Sequence, residues 1–130
     1  MLLVDSSVWI DFFNGKTTTQ TLYLRDEAER DQILLGDLIL CEVLQGFKND
    51  KDHKAARELL SFAYQNIVGQ QIALQSVDYF RYLRQQGVTV RKTIDVLIAT
   101  FCIVNEHELL HADRDFDMIE KYLPLKVKHP

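Results

Sequence analysis

The chain has 130 residues, 47% apolar and 26% charged, the balance of one ordinary globular domain (residues 1–130) and not of a disordered or fibrous chain. Its net charge of −4 excludes a polycation that holds nucleic acid by charge alone, and no apolar run approaches the roughly 20 residues of a membrane span. Met1–Val4 lacks the basic start of a secretion signal, so the expected compartment is the cytoplasm.

In chain order, Met1–Val4 is an apolar run that reads as a short strand buried on both faces, ended by Asp5. Ser6 or Ser7 is placed to cap a helix over Val8–Phe13, which Asn14-Gly15 stops. One of Thr17–Thr19 is expected to cap a second helix running to about Arg30, with a charged, solvated tail to Asp31. Ile33-Leu34-Leu35 reads as a second buried strand, closed by Gly36. Asp37 is the expected N-cap of Leu38–Gln45, with Gly46 beyond; the apolar run also suits a strand, but Leu, Glu and Gln and the Asp-to-Gly bracket favour helix. Cys41 in this stretch and Cys102 later read as buried, reduced thiols, not a disulfide or a metal site.

After Lys48-Asn49-Asp50, the spacing of Ala56, Leu59, Leu60 and Ala63 predicts an amphipathic helix. Ile72-Ala73-Leu74 is too short to assign. Ser76 is the expected cap of a helix with Asp78 in its first turn and Arg81 and Arg84 towards its end, before Gly87. A basic loop, Gly87–Lys92, leads to Thr93 as the next expected cap. Val96–Val104 is apolar apart from Thr100, which places that helix in the core or at a subunit contact. Leu109-Leu110-His111 is a third strand, Asp115–Ile119 begins a last helix, and Leu125–Val127 suits an edge strand. Short buried strands alternating with helices dictate a parallel sheet covered on both faces.

Four acids do not suit a core. Asp5 ends a buried strand, the place where ligands bind in open α/β sheets. Glu42 lies among apolar residues, where an ionised carboxylate is costly unless something positive meets it. Asp95 opens the most apolar helix, and Asp113 follows the third strand with Asp115 two residues on. Each has an ordinary explanation alone: a cap, a buried ion pair, a first-turn acid, a loop acid. A parallel sheet can bring all four to one edge, where their mutual repulsion calls for cations. Oxygen ligands without Cys or His point to Mg²⁺ or Mn²⁺, and such sites serve phosphoryl transfer. His111 is close enough to Asp113 to assist a proton transfer, although a His at a strand end more commonly faces solvent.

Leu3-Val4-Asp5-Ser6-Ser7-Val8-Trp9, Leu40-Cys41-Glu42-Val43-Leu44-Gln45-Gly46, Thr93-Ile94-Asp95-Val96-Leu97-Ile98-Ala99 and Leu110-His111-Ala112-Asp113-Arg114-Asp115-Phe116 resemble, in order, the four acidic motifs of PIN-domain ribonucleases. Length and spacing are similar to the single-domain VapC-type toxins of bacterial toxin–antitoxin pairs. The resemblance implies a three-layer α/β/α sandwich with a short, mainly parallel sheet, a homodimer, and Mg²⁺-dependent endonucleolytic cleavage of RNA, with Mn²⁺ able to substitute. It also implies a cognate antitoxin. By position, Asp5, Glu42, Asp95 and Asp113 are the catalytic, metal-binding acids; Ser6 is a candidate hydrogen-bonding accessory, and Asp115 is the alternative outer acid. Arg91 and Lys92 are candidate contacts to RNA phosphates. Two rival readings are a Mg²⁺-dependent phosphotransferase with Asp5 as nucleophile and a non-catalytic RNA- or partner-binding module.

Overall fold

A computed structural model describes residues 1–29, 32–62 and 64–130, with Tyr64 described by its backbone only. The expected reach of the second helix to Arg30, its tail at Asp31, and Ala63 of the amphipathic stripe lie outside the described residues. The elements are β1 (Leu2–Val4), α1 (Ser6–Phe13), α2 (Thr19–Leu22, prolonged by a π-helical turn over Tyr23–Glu27), β2 (Ile33–Gly36), α3 (Asp37–Leu44), α4 (Asp50–Leu59), β3 (Tyr64–Gln65), α5 (Gln70–Gln85), α6 (Thr93–Asn105), β4 (Glu108–Leu110), α7 (Asp115–Tyr122) and β5 (Lys126–Val127).

The five strands lie in the order β3-β2-β1-β4-β5 and every neighbouring pair is parallel. Leu3 is opposite Leu34 on one side and Leu109 on the other, so the most apolar strand sits at the centre. The chain moves from β1 through β2 to β3, then crosses back to β4 and on to β5. Right-handed crossovers place α1–α4 on one face and α5–α7 on the other. The helix contacts agree: α1 packs on α2 and α3, and α6 packs on α5 and α7. Strand order therefore reverses at β1, and the crevice beyond the C-terminal ends of β1 and β4 is the switch point of the sheet.

Leu3, Val4, Leu35, Leu109 and Leu110 are fully buried, as strands covered on both faces require. Gly36 has no room for a side chain, since a Cβ there would collide with the side chain of Ile67. Helix α6 is central, with Val96, Ile98, Ala99, Phe101 and Cys102 buried, and Thr100 turns its hydroxyl onto the Val96 carbonyl at 2.6 Å. Among the described residues no helix is long and apolar enough to cross a membrane.

Several expected boundaries move. Ser76 does not cap α5: the helix starts six residues earlier, at Gln70, and Ser76 is buried within it. Ile72-Ala73-Leu74, left unassigned by the sequence, belongs to this helix because Ile72 packs inwards. Gly36 and Lys92, not Asp37 and Thr93, occupy the N-cap positions of α3 and α6. Asp37 instead accepts from the amides of Leu38, at 2.8 Å, and Ile67, at 3.0 Å, tying the chain after β3 to the start of α3. Leu60 is buried as the stripe required, but Leu59 is 50% exposed, because α4 ends there and covers the core with little more than Ala56. Cys41 is exposed, on the outer side of α3 from Ile39 and Val43, while Cys102 is buried as expected.

Candidate metal centre

Where β1 stops, Asp5 leaves the sheet with extended backbone and caps α1 itself, its Oδ2 accepting from the Ser7 amide at 3.0 Å. Capping by the acid, in place of either serine, turns its carboxylate towards the helix start. The Ser7 hydroxyl donates to the same oxygen at 2.6 Å and accepts from the Ala112 amide at 3.0 Å. Ser7 thus clips the end of β1 to the loop after β4. Nothing in the local sequence signals this role, because Ala112 is distant in the chain. Burial pushes the Asp5 carboxyl above its ordinary range, and the Ser7 hydrogen bonds pull part of the way back.

Ser6 is buried, and its hydroxyl lies near enough to the half-buried Glu42 carboxyl on α3 to lower it somewhat. The Glu42 carboxyl is held above its ordinary value, first by burial and then by the charge of Asp5.

Asp95, in the first turn of α6, is 4% exposed. Its Oδ2 is buried with no hydrogen-bond partner among the described residues; the Lys92 ammonium stands 3.7 Å away. Burial pushes this carboxyl up to about 7, with Lys92 opposing and Asp5, Asp113 and Asp115 adding to the rise. Asp113 accepts from the Asp115 amide at 3.0 Å and from Lys92 Nζ at 3.3 Å. Burial works to raise Asp113, but those two donors outweigh it and the carboxyl lies below its ordinary value. Asp115, the first residue of α7, forms an ion pair with Arg91.

One carboxylate oxygen from each of Asp95, Asp113 and Asp115 falls within 4.8 Å of the others. Oxygens around an octahedral ion with ~2.1 Å bonds are roughly 3.0 to 4.2 Å apart, so small side-chain rotations would close the group on one cation. Asp5 and Glu42 stand outside this group but within electrostatic reach of it. Among the described residues, the five carboxyls thus face only the two cations Arg91 and Lys92. The residues fit a hard divalent ion on two grounds: every donor is oxygen, and Asp95 Oδ2 is a buried acceptor without a donor. Arg91 and Lys92, read from the sequence as phosphate contacts, are paired with acids of the cluster here.

His111 is buried and does not face solvent, because Phe116 packs against its ring at 5.0 Å. Its Nδ1 accepts from the Asp113 amide at 3.2 Å, which leaves the ring proton on Nε2. Burial lowers its basicity, so the neutral ring is favoured. Cys102 contributes no ligand chemistry, its thiol being pushed up to about 12 by burial.

The sequence model of the PIN domain matches residues 2–122. The chain is 29% identical over 132 residues to ribonuclease VapC11 of Mycobacterium tuberculosis, an alignment covering 98% of this chain and 97% of that one. Among solved structures, FitAcB from Neisseria gonorrhoeae superposes with a TM-score of 0.77 at 15% identity, covering 100% of this chain and 98% of that chain. A toxin–antitoxin complex from Klebsiella pneumoniae superposes with a TM-score of 0.74 at 23% identity, covering 100% and 98%.

Proposed function

Since the chain belongs to the PIN-domain family, we propose that it is a divalent-metal-dependent endoribonuclease, the toxin of a toxin–antitoxin pair. The observation that carries this reading is the convergence of Asp95, Asp113 and Asp115 around a buried carboxylate oxygen that has no donor. Similarity to a protein named ribonuclease VapC11 supports RNA as the substrate, and likeness to a toxin–antitoxin complex supports an antitoxin as partner. The expected single domain, homodimer and cytoplasmic setting belong to the same proposal.

In the mechanism, Asp95, Asp113 and Asp115 would hold Mg²⁺, with Mn²⁺ as substitute. When bound, such an ion activates water and neutralises charge developing on the scissile phosphate and the leaving oxygen. Asp5 and Glu42 complete the acidic set, and Ser7 fixes Asp5 through its amide and its hydroxyl. The half-buried Glu42 carboxylate accepts a hydrogen bond from water and so orients it for in-line attack, while the buried Asp5 adds negative charge that favours the cation. Once the acids have another counter-charge, Arg91 and Lys92 are released to meet RNA phosphates. The rival assignment of Asp5 as a phosphoryl-accepting nucleophile fits poorly, because its Oδ2 already accepts two hydrogen bonds and the residue is 3% exposed.

Brief expression in cells followed by mapping of RNA 5′ ends tests the proposal. Discrete new ends are expected with the parent chain and not with Asp95→Asn. Identical end profiles for the two chains would refute it.

A further inference from the structure

Asp113 of the acid cluster also lines a cleft of about 330 Å³. That volume is within the usual range of small-ligand sites, roughly 300 to 1,000 Å³. Its floor is His111, which is only 7% exposed and whose Nε2 is buried without a hydrogen-bond partner among the described residues. The nearest acid, Asp117, is 3.9 Å away, beyond hydrogen-bonding distance. With Nδ1 accepting from the Asp113 amide, Nε2 carries a proton and is a donor with nothing to donate to.

The remaining lining is of both signs. Arg114, exposed at the start of α7, forms no ion pair among the described residues, in contrast to Arg91 and Lys92. Lys128 lies over the Tyr23 ring at 5.1 Å, and His129 is engaged by Glu120 at 2.9 Å. Asp113 and Asp117 supply acceptors. A bare anion would meet the carboxylates of Asp113 and Asp117 there. A nucleotide offers a phosphate to Arg114, base N–H groups to Asp117 and a base acceptor to His111.

We propose that this cleft is a nucleotide subsite, taking the residue of the RNA next to the scissile phosphate and reading its base through His111 Nε2–H. The assignment rests on the nuclease reading above and adds to it the place where the RNA is recognised. Arg114 then becomes the first phosphate contact beside the cluster, and His111 a specificity-determining residue.

The test titrates the four nucleoside 5′-monophosphates into the protein in Mg²⁺ buffer, following the His111 ring by ¹H–¹⁵N correlation, with inorganic phosphate as comparison. At least one nucleotide is expected to shift the His111 Nε2–H signal saturably, while phosphate does not. Arg114→Ala, on the surface and harmless to the fold, is expected to weaken that binding roughly tenfold, the loss of one charge-assisted hydrogen bond. His111→Gln, which keeps a donor, is expected to alter which nucleotide binds best. No shift with any nucleotide, an equal shift with phosphate, or unchanged affinity in Arg114→Ala overturns the subsite. A parent protein that cuts RNA but binds no nucleotide at His111 refutes the subsite and leaves the nuclease standing. A protein that binds nucleotides at His111 but cuts no RNA keeps the nucleotide site and overturns the nuclease reading, and with it the place beside a scissile phosphate.

Discussion

Replacing Asp95 by Asn should stabilise the metal-free protein while abolishing cleavage. The Asp95 carboxyl is pushed from an ordinary 3.8 to about 7 by burial. At ~1.36 kcal/mol per unit, the ionised form therefore costs the fold at most about 4 kcal/mol above pH 7. Water reaching the cluster and small relaxations roughly halve such figures, leaving about 2 kcal/mol. Against this, a neutral first-turn side chain forfeits about 0.3 to 1 kcal/mol of helix-dipole energy. The burial effect wins by about 1 to 2 kcal/mol. At ~2.1 cal/mol/K per residue, over 130 residues, that is a rise in Tm of roughly 4 to 7 °C at pH 8 in EDTA. The folded state binds its proton more tightly than the unfolded chain, so the cost is absent near pH 4, grows as pH rises and is complete above about 7. The advantage of Asp95→Asn should shrink accordingly between pH 8 and pH 4. Mg²⁺ at a hundredfold excess over its Kd should stabilise the parent by about 2.7 kcal/mol and the variant much less. Melting curves of both proteins, with EDTA and with Mg²⁺, provide the assay. A variant that melts lower than the parent in EDTA at pH 8 and still cuts RNA would make Asp95 an ordinary first-turn acid.

Ser7→Ala removes the hydroxyl that joins Asp5 to the Ala112 amide; it should cost about 1 to 3 kcal/mol in melting experiments and slow single-turnover cleavage, whereas Ser7→Thr should retain most of both. Glu106 ends α6 with a left-handed backbone (φ 58°) and an acid at the negative end of the helix; Glu106→Gly should stabilise by about 1 kcal/mol, roughly 4 °C, without touching cleavage. The Arg91→Ala, Lys92→Ala double variant should flatten the log-affinity against log-salt slope for a non-cleaved RNA by roughly 0.7 for each phosphate that is no longer neutralised; an unchanged slope would confine both cations to their acids. A thiol reagent should modify Cys41 in the native protein and reach Cys102 only after unfolding.

The strands that carry the site were legible because they are short apolar runs ending in acids: Leu2–Val4 before Asp5, and Leu109-Leu110 before Asp113. Even the edge strand at Lys126–Val127 showed in its alternation. Tyr64–Gln65 did not, since two residues, one of them polar, carry no period. Caps were less legible than elements. Ser76 has the local chemistry of an N-cap, but packing of Ile72 extends the helix past it. In the site, the acids stood out as charges within apolar sequence. What did not show was how they are held. The Ser7 clip, the pairing of Lys92 with Asp113 and the burial of His111 beneath Phe116 all join residues that only the folded sheet brings together.

The most direct measurement of the central claim is cleavage of single-stranded RNA by purified protein, titrated with Mn²⁺ from zero in excess EDTA upwards. Cleavage should be absent in EDTA, rise saturably with Mn²⁺ and vanish in Asp95→Asn, Asp113→Asn and Asp115→Asn. Undiminished cleavage in EDTA by a preparation free of contaminating nuclease, or full activity in all three variants, would contradict it.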